Sequence, residues 1–227
     1  MKIITVIKKL IVYKNLRFFL PFTFVERYVD TYKMMTNYNT RVLDVGSGAI
    51  GVGMFMQECD VVSLDLHEKV KHAFGERIRA SGTNLPFKND CFDSVISVDF
   101  IEHINTNLRK DVANEMMRVG KEVLVHCPVG TEGEKTDKRI NQTYRRIYGK
   151  NNVNTMEHLN NGIIYESDLR TLFPNSRIKY SGNAHLNYIS SVLFFTIYFF
   201  AFVFHFLLKS ISKNQPYYSA IMYWSKI

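Results

Sequence analysis

The stretch Arg41–Gly51, RVLDVGSGAIG, decides how the chain folds. An apolar run, Arg41–Val45, leads directly into Gly46, Gly48 and Gly51. A strand that must turn sharply into a helix while its backbone approaches a ligand needs glycine there. The spacing is G-x-G-x-x-G, and Asp65 follows Asp44 by 21 residues, where an acid that holds a ribose belongs. The glycines alone fit two kinds of nucleotide cofactor. Asp44 favours one of them. A nicotinamide cofactor presents a pyrophosphate at this turn, which a carboxylate would repel. A sulfonium cofactor has no phosphate there and brings a positive sulfur and an ammonium, which a carboxylate attracts directly or through water. A turn whose glycines serve tight packing alone is the structural alternative.

Working outward, apolar strand-like runs alternate with helix-like stretches. Strands are predicted at Arg41–Val45, Val61–Asp65, Ser94–Val98 and Lys121–His126. Between the last two, Leu108, Val112 and Met116 recur at helical spacing over Thr106–Val119. Such alternation predicts an α/β fold with a mostly parallel sheet covered by helices. Residues 129–160 are polar and basic without clear periodicity, and residues 129–165 are read as a lid or substrate loop. Glu166–Phe173 reads as a short helix stopped by Pro174. Ser176–Tyr180 and Tyr217–Ile227 read as the last two strands, paired antiparallel.

Downstream of the glycine turn stands SGTNLPFKNDCFDSVISVDFIEHI, Ser81–Ile104. With the turn ahead of it, this L-P-F…F-D segment resembles the class I S-adenosylmethionine-dependent methyltransferases, in particular the "type 11" group, over Arg41 to about Pro128. The resemblance implies a Rossmann-like fold with S-adenosyl-L-methionine as cofactor. It implies that Asp44, Gly46, Ser47 and Gly48 line the methionine and ribose part, that Asp65 holds the ribose hydroxyls, and that Leu66 lies against the adenine. Gly82, Thr83 and Asn84 would border the adenine edge, while Asp99 and Phe100 would follow the fourth strand into the pocket. Many relatives carry an acid near Ser81 that meets the adenine amino group, and this chain lacks it. Residues 128–174, through HCPVGTEGEKTD and TMEHLNNGIIYESDLRTLFP, more loosely resemble methyltransferases of surface-polysaccharide and glycolipid pathways.

Methyl transfer from a sulfonium is an in-line displacement, and an alcohol acceptor must also lose a proton. Two Glu-His pairs offer a base: Glu102-His103 after the fourth strand and Glu157-His158 near the end of the polar segment. His103 falls at the carboxyl edge of the sheet, where ligands of open α/β sheets bind. His103 and His158 are therefore the candidate catalytic residues, against structural roles in shaping the pocket and the lid. No spacing specifies the three or four converging ligands that a metal needs, so none is expected.

The chain has 227 residues and a net charge of +8, and the excess is terminal. Residues 1–40 hold seven Lys or Arg against two acids, residues 41–208 hold 19 of each sign, and three Lys with no acid follow from Lys209 onward. A nucleic-acid face would run as a stripe across the folded domain, so no nucleic-acid partner is expected. Basic ends beside apolar sequence suit an anionic membrane surface. Cys59, Cys91 and Cys127 form no C-x-x-C pair, which fits a reducing cytosol. Lysines interrupt the apolar N-terminus, and no small-residue cleavage site follows, so a signal peptide is not expected. Residues 1–40 are read as a basic, apolar helical region and 41–227 as the methyltransferase domain.

Leu186–Leu208 is the most apolar tract, long enough as a helix to cross a bilayer. If the flanking strands pair antiparallel, both ends of the tract lie on one side of a membrane. A single span would break the sheet, so an in-plane or re-entrant hairpin is expected, monotopic at the cytosolic face. A single transmembrane helix and a buried helix of a dimer are the alternatives. The expected function is methyl transfer to a hydroxyl or carboxyl of a glycan or lipid-linked acceptor. Rival readings are a soluble small-molecule or quinone-like acceptor, an NAD-dependent oxidoreductase or epimerase, and a non-catalytic membrane-bound scaffold of the same fold.

Overall fold

The computed structural model describes residues 22–36, 38, 40–48, 51–56, 58–66, 75–196 and 215–226. Residues 1–21 of the basic, apolar helical region and residues 197–208 of the apolar tract lie outside them. In chain order the elements are α1 (Phe22–Tyr32), β1 (Arg41–Val45), a 3-10 turn (Val52–Met54), β2 (Asp60–Asp65), β3 (Glu76–Arg79) and β4 (Phe92–Val98). A second 3-10 turn (Ile101–His103) precedes α2 (Thr106–Val119), β5 (Gly120–Pro128), α3 (Gly130–Tyr148), α4 (Val153–Asn161) and α5 (Glu166–Leu172). The chain closes with β6 (Arg177–Asn183), α6 (Ala184–Thr196) and β7 (Tyr217–Ser225).

The strands form one seven-stranded sheet in the order β3-β2-β1-β4-β5-β7-β6. β1 to β5 run parallel, and β7 pairs antiparallel with both β5 and β6. The predicted parallel sheet with an antiparallel last strand is thus present. Parallel strands buried on both faces read as largely apolar runs; β1 and β4 do, interrupted by Asp44 and by Asp93, Ser94 and Ser97. Alternate residues serve opposite cores. Val42, Ile96, Val98 and Leu124 pack with Tyr28, Val29 and Tyr32 of α1 and with Val52 and Met54 of the first 3-10 turn. Leu43, Val45, Val95, Val123 and Val125 pack with Val112, Met116 and Val119 of α2 and with Leu169 of α5. On β1, position 44 falls within this buried pattern, and a carboxylate occupies it at 2% exposure. Packing alone does not call for a charge there.

Two features differ from the sequence reading. β3 is an added edge strand, ERIR, with no apolar alternation; its charged residues suit an edge that must not recruit another strand. Residues 129–160 are not a loop but α3 and α4. The inner face of α3 is Gly133, Thr136, Asp137 and Ile140, at helical spacing but with only one large apolar residue. A pattern built of polar side chains leaves no hydrophobic period to detect. Gly149, in the left-handed conformation, ends α3, and the Asn152 side chain caps α4 by accepting from Thr155 N at 3.1 Å.

The first part of the apolar tract is α6, laid on α3. Tyr188 hydroxyl meets Thr143 at 3.1 Å, Arg139 sits 4.2 Å over the Tyr188 ring, and Tyr144 meets Phe195 edge-on at 4.9 Å. Asn187 and Ser190 are buried in the same packing. Among the described residues no helix is long and apolar enough to cross a membrane.

Candidate functional site

The order β2-β1-β4 places the topological switch point between β1 and β4, where open α/β sheets bind ligands beyond the strand ends. The glycine turn follows β1 there. Gly46 and Gly48 both have positive φ, 75° and 54°. A Cβ on Gly46 would overlap the Phe100 ring, whereas a Cβ on Gly48 would meet nothing within 4 Å. The first glycine admits the aromatic ring after β4, and the second leaves an open cradle. Phe100 also reaches Gly82, whose added Cβ would lie 3.2 Å from the ring. One side chain thereby links the turn after β1 to the turn after β3.

Four backbone donors at this turn are committed among the described residues. Gly48 N donates to Asp65 Oδ2 at 2.8 Å, and Val52 N donates to Asp44 Oδ2 at 2.7 Å. Gly46 N and Ser47 N both donate to Leu64 O. A pyrophosphate needs free donors, and these four offer it none. The carboxylates at the turn suit a cation. Burial, opposed by the Val52 hydrogen bond and assisted by the charge of Asp65, pushes the Asp44 carboxyl up to about 7. Ser47 Oγ is buried without a hydrogen-bond partner among the described residues, so a polar group remains to be matched. These features fit a cofactor with an ammonium and a sulfonium: Asp44 faces the charge, Ser47 and Gly48 form the cradle, and Asp65 stands at the end of β2.

The other expected residues border the same edge. Leu66 is 55% exposed, available to a flat ligand. Gly82, Thr83 and Asn84 form a tight turn in which Asn84 N donates to Ser81 O at 3.2 Å and the Thr83 hydroxyl meets Ser81 Oγ at 2.8 Å. Asp99 follows β4 with φ 53°. Its Oδ2 pairs with Arg27 of α1, while its Oδ1 is buried without a partner among the described residues. Nothing in the sequence linked α1 to the end of β4. Arg27 also donates to Asn187 Oδ1 at 3.3 Å and lies 5.3 Å over the Tyr218 ring.

His103 and His158, 55 residues apart, are in contact: their Nε2 atoms are 3.2 Å apart. His103 Nδ1 meets Glu157 Oε2 at 2.6 Å, and His158 Nδ1 meets Asp137 Oδ2 at 2.8 Å. Tyr218 hydroxyl donates to the other Asp137 oxygen at 2.9 Å. Burial and the neighbouring His158 charge lower the His103 pKa. Burial opposes charge on His158 too, but the Asp137 hydrogen bond and the charge of Glu102 outweigh it, and its pKa rises. Glu102 is buried beside them, and burial with the charge of Asp99 pushes its carboxyl up to about 8. The convergence of ligand-type side chains that no spacing specified is therefore present at Glu102, His103 and His158. Asp137 was not singled out in the sequence because it lies in the segment read as a loop.

Residues 43–123 match the family model described as a methyltransferase domain. This part of the chain, about a third of its length, is similar to a methyltransferase domain. The match takes in the glycine turn, Asp65, Ser81–Ile104 and the Glu102-His103 pair. The fold is that of solved methyltransferases at low identity. A SAM-dependent methyltransferase of Thermotoga maritima superposes with a TM-score of 0.59 at 14% identity, covering 97% of this chain and 98% of that one. A candidate methyltransferase of an antibiotic biosynthesis pathway in Anabaena variabilis gives 0.55 at 10% identity, covering 89% and 97%. A candidate methyltransferase of Bacillus halodurans gives 0.52 at 15% identity, covering 86% and 96%. No curated protein sequence matches the chain.

Proposed function

We propose that the chain transfers the methyl group of S-adenosylmethionine to an oxygen of a glycan or lipid-linked acceptor at the cytosolic face of a membrane. The observation that carries the methyl donor is the turn itself: two carboxylates, Asp44 and Asp65, stand at it, with Val52 N and Gly48 N bonded to them. When bound, S-adenosylmethionine supplies a methyl group on a positively charged sulfur. Asp44 orients the ammonium, Asp65 takes the ribose hydroxyls, Leu66 and the Gly82–Asn84 turn border the adenine, and Phe100 fixes the wall between them.

The acceptor end is the polar pole formed by Glu102, His103 and His158. α3 and α4 carry Asp137, Glu157 and His158 onto the turn after β4, so the segment read as a substrate loop supplies one wall of this pole as helices. An oxygen acceptor brings a proton that must leave, and His103 and His158 are the groups placed to manage it. The sugar-containing acceptor rests on the resemblance of residues 128–174 to polysaccharide and glycolipid methyltransferases. The membrane reading rests on the terminal excess of positive charge and the apolar tract beginning at Leu186.

The test is to incubate full-length protein and methyl-labelled S-adenosylmethionine with native lipid extracts and with soluble extracts, and follow label by mass spectrometry. Label in a lipid-linked glycan supports the proposal. Label confined to water-soluble metabolites refutes the membrane acceptor, and absence of donor binding refutes methyl transfer.

A further inference from the structure

The polar pole has an unbalanced arrangement of lone pairs. His103 and His158 are each tied through Nδ1 to a carboxylate, at 2.6 Å and 2.8 Å. An ionised carboxylate can only accept, so Nδ1 carries the hydrogen in both rings. Neutral imidazoles held this way present lone pairs at Nε2, and the two Nε2 atoms face each other at 3.2 Å. Glu102 completes the set. It is 2% exposed, and neither carboxylate oxygen has a hydrogen-bond partner among the described residues. Native proteins rarely bury a carboxylate without a partner. Three ligand-type atoms, all within 4.8 Å of one another, thus converge on one point.

We propose that Glu102, His103 and His158 bind a divalent first-row transition-metal ion through one carboxylate oxygen and the two Nε2 atoms. Ligands bonded to such an ion at about 2.0–2.2 Å stand roughly 3.0–3.6 Å from one another, which matches the 3.2 Å between the imidazoles. The Glu102 carboxylate oxygen lies within 4.8 Å of both. The Glu157–His103 and Asp137–His158 contacts form the carboxylate–histidine arrangement that fixes tautomer and ring orientation at metal sites. Two imidazoles and one carboxylate favour manganese, iron, cobalt or zinc over magnesium or calcium, which prefer oxygen.

Three protein ligands leave coordination positions open on the carboxyl edge of β4, on the acceptor side. They suit an acceptor that offers two neighbouring oxygens, such as a vicinal diol or a carboxylate. This part rests on the methyl-transfer reading and deepens it: the histidines manage the acceptor's proton as ligands to a cation rather than by accepting it. The metal site itself does not depend on that reading.

The experiment strips full-length protein with a chelator and titrates it with Mn²⁺, Zn²⁺, Co²⁺ and Mg²⁺ by calorimetry, following the visible bands of Co²⁺ in parallel. S-adenosylmethionine affinity is measured on the same samples. The expected result is one ion per chain, with Mg²⁺ the weakest. His103→Asn and His158→Asn should each weaken ion binding at least tenfold, and Glu157→Gln about tenfold. Donor affinity should stay within about twofold, which also reports that the variants fold. The His103 side chain is 25% exposed, so its substitution leaves the fold in place if the His158 variant does not fold. Affinity no better than millimolar for every ion, or affinity unchanged in the His103 variant, overturns the proposal. So does a histidine titration showing a single proton shared between the rings with no ion bound. Ion binding without donor binding would instead remove the methyl-transfer reading and leave the metal site standing.

Discussion

Replacing Asp44 by Asn should make the cofactor-free protein more stable and the cofactor weaker to bind. The carboxyl lies at 2% exposure with one hydrogen bond, from Val52 N, and its pKa rises from 3.8 to about 7. An acid held this way binds its proton more tightly in the folded than in the unfolded chain. Its contribution to stability is therefore fully present below about pH 4 and is lost as pH rises through about 7. The whole loss is on the order of 4 kcal/mol. The asparagine side chain keeps the shape and can still accept from Val52 N, but has no charge to desolvate. At pH 8 the Asp44→Asn protein should melt higher than the wild type, and the gap should close toward pH 4. Binding moves the other way. Losing a carboxylate that faces an ammonium should cost about 1.5–3 kcal/mol, roughly 10- to 150-fold in Kd at pH 8. The wild type should bind S-adenosylmethionine about tenfold more weakly at pH 6 than at pH 8, because only about one molecule in eleven then carries the ionised carboxyl. The variant should lose that slope. Calorimetry and thermal melts across pH 4–8 read both effects. An Asp44→Asn protein that binds the donor as tightly as wild type at pH 8, or keeps its pH slope, refutes the role given to Asp44.

Gly46→Ala should cost several kcal/mol in thermal or urea unfolding, since φ is 75° and the new methyl overlaps the Phe100 ring; an unchanged midpoint would show that the ring is free to move. Asp137→Ala should cost about 2–4 kcal/mol by orphaning the Tyr218 hydroxyl and His158 Nδ1, both buried, and histidine NMR should show a lower His158 pKa. Arg27→Met should destabilise by about 3–5 kcal/mol in urea unfolding because Asp99 is left without its ion pair; an unchanged midpoint would show that the pair adds nothing to stability.

Much of the sheet was legible because its strands are buried on both sides. β1, β2, β4 and β5 are predominantly apolar, and the structure extends the predicted bounds by at most two residues at either end. β3 was hidden because ERIR offers the core a single apolar side chain, Ile78, too little for an alternation to show. α3 was hidden because its inner face holds Thr136 and Asp137, and Asp137 serves contacts with α4 and β7 rather than apolar area. The same cause hid the heart of the polar pole. The Glu-His pairs stood out in the chain, but their meeting depends on α3 and α4 folding back over the turn after β4. The cofactor turn is the opposite case. Glycine spacing and a charged residue on a buried strand are local signals, and they mark Asp44 and Asp65 without any knowledge of their hydrogen bonds to Val52 and Gly48. Asp99 marks the limit of such local reading, since its partner Arg27 lies 72 residues away.

The most direct measurement is calorimetric titration of the full-length protein at pH 8 with S-adenosylmethionine, its demethylated product and NAD. The account predicts that the first two bind with one site per chain and that NAD does not compete. Binding of NAD at the Asp44–Gly48 turn, or no binding of the methyl donor, would contradict it.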